Sequence, residues 1–428
     1  MSESKFHHFE QTLENLLLRI KGKTIHSERG QIGNPFNLTQ KNKEKLLEYY
    51  NSFFSGEKNI SVPRQVRIMG STALLLEWLG KDFDKATEKN LLELVAQVNR
   101  YKTSSGKPYS IESITQHKVS IKRFWKWLNN GEEHPFTKKI KCTIDQKYRK
   151  LPSDMYEEQE VKQVLDSCLN PMHAAYLALT YETGARCGET GNAKIEDLEF
   201  KNGYGWVNLS GKTGSRRVFI MFSVPYLGEW LQYHPTKNDK KSPLFIISRG
   251  ENKGKQVNYS SVRKLFIDAV KRSDLKKPAN LHILRHSRAT FLANHLTESQ
   301  LKEIFGWSQG SRMVARYIHL SGKHTEKALK AVYGIKDEEQ KEETALKPTK
   351  CTICQFLNKA SLEICQNCHN PLTVKTALGV IEKGQRNQEI LDTAASVLTE
   401  QQLFSVLDKW WEKKQSESKL KTATISPH

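Results

Sequence analysis

Residue types that handle phosphate and oxygen nucleophiles crowd into the stretch from Leu281 to Leu320, LHILRHSRATFLANHLTESQLKEIFGWSQGSRMVARYIHL. His282 and Arg285 are three apart and so share a helix face. Leu281, Leu284 and Phe291 fall on another face that can turn inward, which predicts an amphipathic helix with a cationic working side. Gly306 and Trp307 close a second apolar turn, Leu301 to Phe305, and a third short segment carries Tyr317 with Val314 and Ile318 available for packing. An arginine offers a fixed, always protonated fork to charge developing on a phosphate, with a bidentate geometry that lysine does not reproduce. An indole donates one N–H. A phenol is a poor nucleophile at neutral pH, so Tyr317 would need a base or strong electrostatic help, and His282 is the candidate. Singly, each of these residues reads as core or solvated surface. Their order and spacing carry the argument.

The series H-x-L-R-H, then G-W, then R-Y-x-H resembles the C-terminal signature of the tyrosine recombinases, the integrase family. The resemblance implies a further arginine, with an acid close by, and a lysine upstream. Tyr181 to Glu189 reads YETGARCGE, matching the family's T-G-x-R-x-x-E element, with Arg186 as the arginine and Glu189 as an acid orienting a neighbour, His282 or Arg186. Gly211 to Arg217 lies between two strand-like runs, Trp206 to Leu209 and Val218 to Phe222, so Lys212 is expected on a β-hairpin. By resemblance, Tyr317 attacks phosphorus to form a 3′-phosphotyrosyl link and frees a 5′ hydroxyl, while Lys212 acts as general acid for the leaving oxygen. Trp307 takes the place of a second histidine. His286 and His319 match family positions as well, with packing an equal reading; Tyr333, without the preceding arginine, is the nearest alternative nucleophile. The implied partners are double-stranded DNA carrying attachment sites and three further copies of the chain, with no cofactor required for catalysis.

Other elements must position these groups. A chain of 428 residues with a formal net charge of +20 argues for several domains and a polyanionic partner. The predicted fold is mainly α with a small antiparallel β-sheet. Residues 1–60 form a helical extension or arm, with Leu13, Leu16, Leu17 and Ile20 on one helix, Leu46 to Phe54 on another, and Gly30 to Pro35 as loop. Residues 61–135 resemble the family's helical core-binding domain. In it Thr87 and Ser110 are expected N-caps, and Lys118, Lys122 and Lys126 form a basic stripe suited to DNA phosphates, with Arg123 further round the exposed side. A basic linker, 136–153, leads to a catalytic domain, 154–335, with helices near 156–168, 172–183 and 260–272 and a short strand from Pro243 to Ile247.

A second linker, 336–350, precedes a different signal. Cys351-x-x-Cys354 and Cys365-x-x-Cys368, with ten residues between them, have the spacing of a zinc ribbon-like module, 351–372, in which four thiolates close a structural Zn²⁺ site. Residues 373–428 are read as a helical tail, with Leu398, Leu403, Phe404, Leu407, Trp410 and Trp411 on apolar turns. No apolar run reaches membrane-spanning length and the first residues, MSESKFHHFEQ, are polar, so a cytoplasmic, nucleoid-associated protein without a membrane partner is expected. The expected function is site-specific recombination, as an integrase of a mobile element. The alternatives are a dimer resolvase or type IB topoisomerase-like enzyme using the same residues, and a DNA-binding regulator that has lost turnover.

Overall fold

The computed structural model describes residues 8–27, 30–54, 60–142, 155–211, 214–247, 250–311, 313–314, 317, 333 and 344–397. Lys212, Ile318, His319 and the apolar positions from Leu398 to Trp411 lie outside them. Two units are defined, Met1–Asp154 with Lys255–Ser261, and Met155–Gly254 with Val262–His428.

The first unit contains α1 (Phe9–Ile20), a hairpin of β1 (Ile25–Ser27) and β2 (Gly30–Gly33), α2 (Gln40–Asn51), α3 (Val62–Leu79), α4 (Glu88–Arg100) and α5 (Ile111–Leu128). Helix α3 packs against each of the other four. Its sequence supplies the boundaries, with Pro63 in the first turn and Gly80 in the left-handed conformation at the end. The helices expected from Thr87 and Ser110 are present: Thr87 and Asn90 form a reciprocal capping box, and the Ser110 hydroxyl accepts from the Ser113 N–H at 3.2 Å. Leu91, Leu94 and Val98 on α4 and Ile121, Phe124 and Trp125 on α5 are buried together with Leu46, Tyr49 and Met69.

Two readings of this unit are corrected. Gly30 to Gly33 is not loop but a strand paired antiparallel with β1, a hairpin too short and glycine-rich to show a period. Arg123 does not face outward: it lies 5.7 Å from the Phe53 ring centroid, half-buried. On the basic stripe, Lys122 pairs with Glu133 at 2.6 Å, Lys118 is half-buried and Lys126 is exposed.

The second unit begins with α6 (Glu158–Asp166), α7 (Pro171–Thr183) and α8 (Cys187–Gly191). Next come β3 (Leu198–Lys201), β4 (Tyr204–Gly211) and β5 (Gly214–Ile220), a three-stranded antiparallel sheet in sequence order. Helices α9 (Val224–Tyr233), α10 (Tyr259–Arg272), α11 (Leu281–Leu292) and α12 (Glu298–Phe305) follow. A short pair, β6 (Thr349–Lys350) and β7 (Leu357–Asn358), lies within the cysteine-rich segment, and α13 (Val374–Val397) ends the described chain. Helix α7, buried along nearly its whole length, is the axle of the unit and touches α9, α11 and β5. The Glu182 carboxylate near its end is buried and accepts the N–H groups of Met221, Phe222 and Ser223, so it stitches the exit of β5 and the start of α9 to the axle.

The expected strand from Pro243 to Ile247 is absent among the described residues. Isolated bridges form instead, at Pro243 with Lys194 and at Ile246, and side chains take carbonyls that a ladder would use: the Trp230 indole donates to Leu244 O at 2.8 Å, and His234 Nε2 lies 3.1 Å from Pro243 O. The apolar residues Leu244, Phe245 and Ile246 still enter the core, without forming a strand. No helix among the described residues is long and apolar enough to cross a membrane.

Candidate functional site

The site is assembled where α7, α11, α12 and the β4–β5 hairpin meet. Helix α7 stops at Gly184, whose φ of 57° is left-handed and whose missing Cβ leaves room for the Phe305 ring; a methyl there would lie 2.2 Å from it. Arg186 follows in extended conformation, and α8 brings Glu189 back beside it. One Glu189 oxygen accepts from the Arg186 guanidinium at 2.6 Å, and the other accepts from the Arg186 backbone N–H at 3.1 Å. The Arg186 side chain remains 33% exposed, so part of its fork stays open to a ligand.

Arg285, on α11, is buried, at 5% exposure. It does not lie on a solvated cationic face shared with His282, as the helix spacing implied. Its guanidinium donates to Gly184 O at 2.6 Å and to Phe305 O at 2.7 Å, the carbonyls left over at the ends of α7 and α12. It also lies over the rings of Phe305 and Trp307, 5.1 and 5.4 Å from their centroids. Burial, then the neighbouring positive charge of Arg186, brings its pKa down to about 10, which still leaves it cationic at neutral pH.

Phe305, Trp307 and Tyr317 form a continuous ring stack, with centroids 4.8 and 5.6 Å apart and interplanar angles of 14° and 8°. Gly306, left-handed at the end of α12, makes the turn that sets the first two rings face to face. Tyr317 is buried, and its phenol oxygen is hydrogen-bonded to His286 Nδ1. His282 is exposed in the first turn of α11, with its ring 6.2 Å from that of His286. The structure therefore brings His286, not His282, onto the phenol. Tyr333, the alternative nucleophile, is 75% exposed. Burial pushes the Cys187 thiol up to about 11, which keeps it protonated at neutral pH.

Arg216 escaped the reading of the sequence. It lies on β5 and donates to the second Glu189 oxygen at 2.8 Å and to Ile304 O at 2.8 Å. The signal was parity: residues 216, 218 and 220 point to one side of a strand, Val218 and Ile220 are core residues, and Arg217 faces away over Trp206. Burial raises the Glu189 pKa, but the hydrogen bond and charge of Arg216, with the side-chain and backbone hydrogen bonds of Arg186, more than offset this and hold the carboxyl below its ordinary value.

The second cluster is the four cysteines. Their sulfurs all lie within 4.8 Å of one another, and the Cys351–Cys368 and Cys354–Cys365 separations are both 3.6 Å. Sulfurs bound at about 2.3 Å in a tetrahedron sit about 3.8 Å apart, so the spacing fits a four-thiolate metal shell and is far beyond a disulfide bond. The two halves repeat: Gln355 N–H donates to Cys351 O and His369 N–H to Cys365 O, with both donors left-handed, at φ 61° and 58°. Asn358 and Asn370 amides lie 3.5 and 3.3 Å from Cys365 and Cys368 Sγ. His369 turns at a knuckle and is not among the converging ligands. Lys359 of the module pairs with Glu229 and lies over the Tyr226 ring, and Thr344, in the linker before it, donates to Glu158 at 2.6 Å.

Residues 155–324 match the model of the phage integrase family. The chain is 30% identical over 228 residues to tyrosine recombinase XerA of Pyrococcus furiosus, covering 52% of this chain and 75% of that one. It is 26% identical over 233 residues to tyrosine recombinase XerC of Lactobacillus delbrueckii subsp. bulgaricus, covering 52% and 77%. The structure of lambda integrase (residues 75–356) bound to DNA superposes with a TM-score of 0.50 at 13% identity, over 67% of this chain and 99% of that one, a likeness of fold. The chain belongs to the tyrosine recombinase family, the enzymes of site-specific DNA recombination.

Proposed function

We propose that this chain cleaves and rejoins double-stranded DNA through a covalent link between Tyr317 and a 3′ phosphate, as an integrase acting in a tetramer on two duplexes. One observation carries the reading: the Tyr317 phenol is stacked on Trp307, bonded to His286 and set close to the buried, cationic Arg285. Arg186 and Arg285 bind the nonbridging oxygens, whose charge grows as the phenol attacks. His286 takes the phenol proton, His282 and the Trp307 indole donate to the phosphate, and Lys212 protonates the departing 5′ oxygen. The phosphotyrosyl bond conserves the energy of the broken phosphodiester, so the 5′ hydroxyl of another strand can reseal it. Lys118, Lys122 and Lys126 contact the backbone, Lys122 exchanging Glu133 for phosphate. The lambda integrase structure of this fold was solved bound to DNA, which supports the partner.

The domain division belongs to the same proposal: an arm to about residue 60, a core-binding domain to 135, a catalytic domain from 154 to 335, and an appended module from 351 to 372. The module holds Zn²⁺ through Cys351, Cys354, Cys365 and Cys368. Bound zinc would cross-link the two knuckles, and its closed four-thiolate shell leaves no position for catalysis. The protein works in the cytoplasm, at the nucleoid. Relatives named XerA and XerC keep dimer resolution as the second reading.

The test is covalent capture on nicked suicide duplexes drawn from a random pool, with mass mapping of the adducted peptide. Tyr317→Phe is expected to abolish the adduct while DNA binding persists. Retained strand exchange in that variant, or an adduct on Tyr333, overturns the assignment.

A further inference from the structure

Glu189 is placed between two arginines that it holds differently. Arg186 is one-third open, whereas the Arg216 side chain is 9% exposed and both of its bonds are to the protein. Gly211, at the end of β4, is packed so closely against the same carboxylate that a Cβ would lie 2.5 Å from Oε1. Arg216 thus joins three pieces: the β4–β5 hairpin near its turn, the Arg186–Glu189 turn of α8, and the Ile304 carbonyl one residue before Phe305, itself an acceptor for Arg285.

We propose that Arg216 is a positioning residue for Arg186. A buried carboxylate satisfies its two oxygens with the strongest donors in reach, and a guanidinium prefers to pair with both at once. With Arg216 on Oε2, Arg186 bonds to Oε1 through one nitrogen and keeps the rest of its fork outward. Without Arg216, Oε2 keeps the Arg186 N–H among the described residues, and the Arg186 guanidinium, already bonded to Oε1, is the cation beside it, since Arg285 is held by two carbonyls. The phosphate-binding arginine then folds back onto Glu189 and leaves the reaction centre. Arg216 is not in contact with substrate in this scheme. It acts by occupying an oxygen that would otherwise recruit Arg186.

The inference rests on the reading that Arg186 binds the scissile phosphate, and the experiment separates the two. Single-turnover cleavage is measured on a suicide duplex captured from the random pool by the wild-type chain, with the scissile position either the ordinary phosphate or an uncharged methylphosphonate. Arg216→Met is expected to cleave the phosphate about 10- to 100-fold more slowly, the scale of a misplaced reacting group, with DNA affinity little changed. Its deficit shrinks on the methylphosphonate, as does that of Arg186→Ala, because less charge needs neutralising. Glu189→Gln added to Arg216→Met removes the carboxylate that recruits Arg186, so the double variant cleaves faster than Arg216→Met alone. Arg216→Lys, which keeps a cation on Glu189 should the methionine variant fold poorly, stays closer to wild type than Arg216→Met or Arg216→Gln.

A double variant no faster than Arg216→Met, or an Arg216→Met deficit equal on both substrates while that of Arg186→Ala shrinks, overturns the proposal and leaves Arg216 a packing residue. An Arg186→Ala deficit that does not shrink, or no wild-type adduct at all, is instead the failure of the phosphate-binding reading, and the role of Arg216 falls with it.

Discussion

Arg285 and Cys365 are both buried in the same unit, but they are held in opposite ways. The Arg285 guanidinium is locked by two main-chain carbonyls and two aromatic faces, all supplied by the ends of α7 and α12. Its charge is placed before any ligand arrives, and the protein has already met the cost of desolvating it. The sulfur of Cys365 is instead one of four groups that repel one another once ionised, gathered by two turns with left-handed corners and by β6 and β7, of two residues each. Around the arginine the core makes the site; around the cysteines the ligand set makes the core. A region of roughly twenty residues has too little apolar surface to hold itself, and a metal held by the four thiolates would supply a cross-link in place of the interior it lacks.

The sharpest break of that comparison is Arg285→Ala. Cleavage should fall on the order of 10²- to 10³-fold, as when an oxyanion donor is removed, with zinc content unchanged; the readouts are single-turnover cleavage and metal analysis. Chelation of the metal, or Cys365→Ser, should do the reverse. The module should unfold and release about one zinc per chain, the number that closes a four-ligand shell, while cleavage of a short duplex persists. Loss of cleavage on chelation with the catalytic unit still folded would show that the module supports the site, not only itself.

Smaller effects sharpen the picture of the preformed site. Gly184→Ala combines a left-handed backbone with a methyl forced into the Phe305 ring, and should destabilise the catalytic unit by about 2–3 kcal/mol. Thermal unfolding should drop by several degrees, at roughly 2–4 °C per kcal/mol. The weakest expected signal is in acid. The Glu189 pKa lies below its ordinary 4.5 when folded. Its stabilisation is therefore complete above that value and disappears as pH falls through the lower folded pKa. Glu189→Gln should lose stability at neutral pH and flatten the acid limb of the unfolding curve; an unchanged limb would mean that the carboxylate is not ion-paired in solution.

The family was legible from the order of a few side chains, because H-x-L-R-H, G-W and R-Y are constrained by chemistry whatever surrounds them. The helices begun by Thr87 and Ser110 were legible for a local reason: a cap and an apolar period lie within one segment. The four-cysteine spacing was equally local. Arg216 was not legible as a site residue, since its partners Glu189 and Ile304 are 27 and 88 residues away. Nor was the choice of His286 over His282, which depends on where the ring stack sets Tyr317, or the fate of Pro243 to Ile247, whose carbonyls are claimed by Trp230 and His234.

By itself, then, the sequence determined which reactive groups this protein carries, the family they place it in, and the four-cysteine set of its appended module, because each follows from residue type and short-range spacing. The tertiary structure alone decided which of those groups meet. Burying Arg285 required carbonyls from two helix ends that are distant in sequence, and sharing Glu189 between two arginines required a strand, a turn and a helix end to converge. Such pairings are set by packing over the whole unit, which no local pattern encodes.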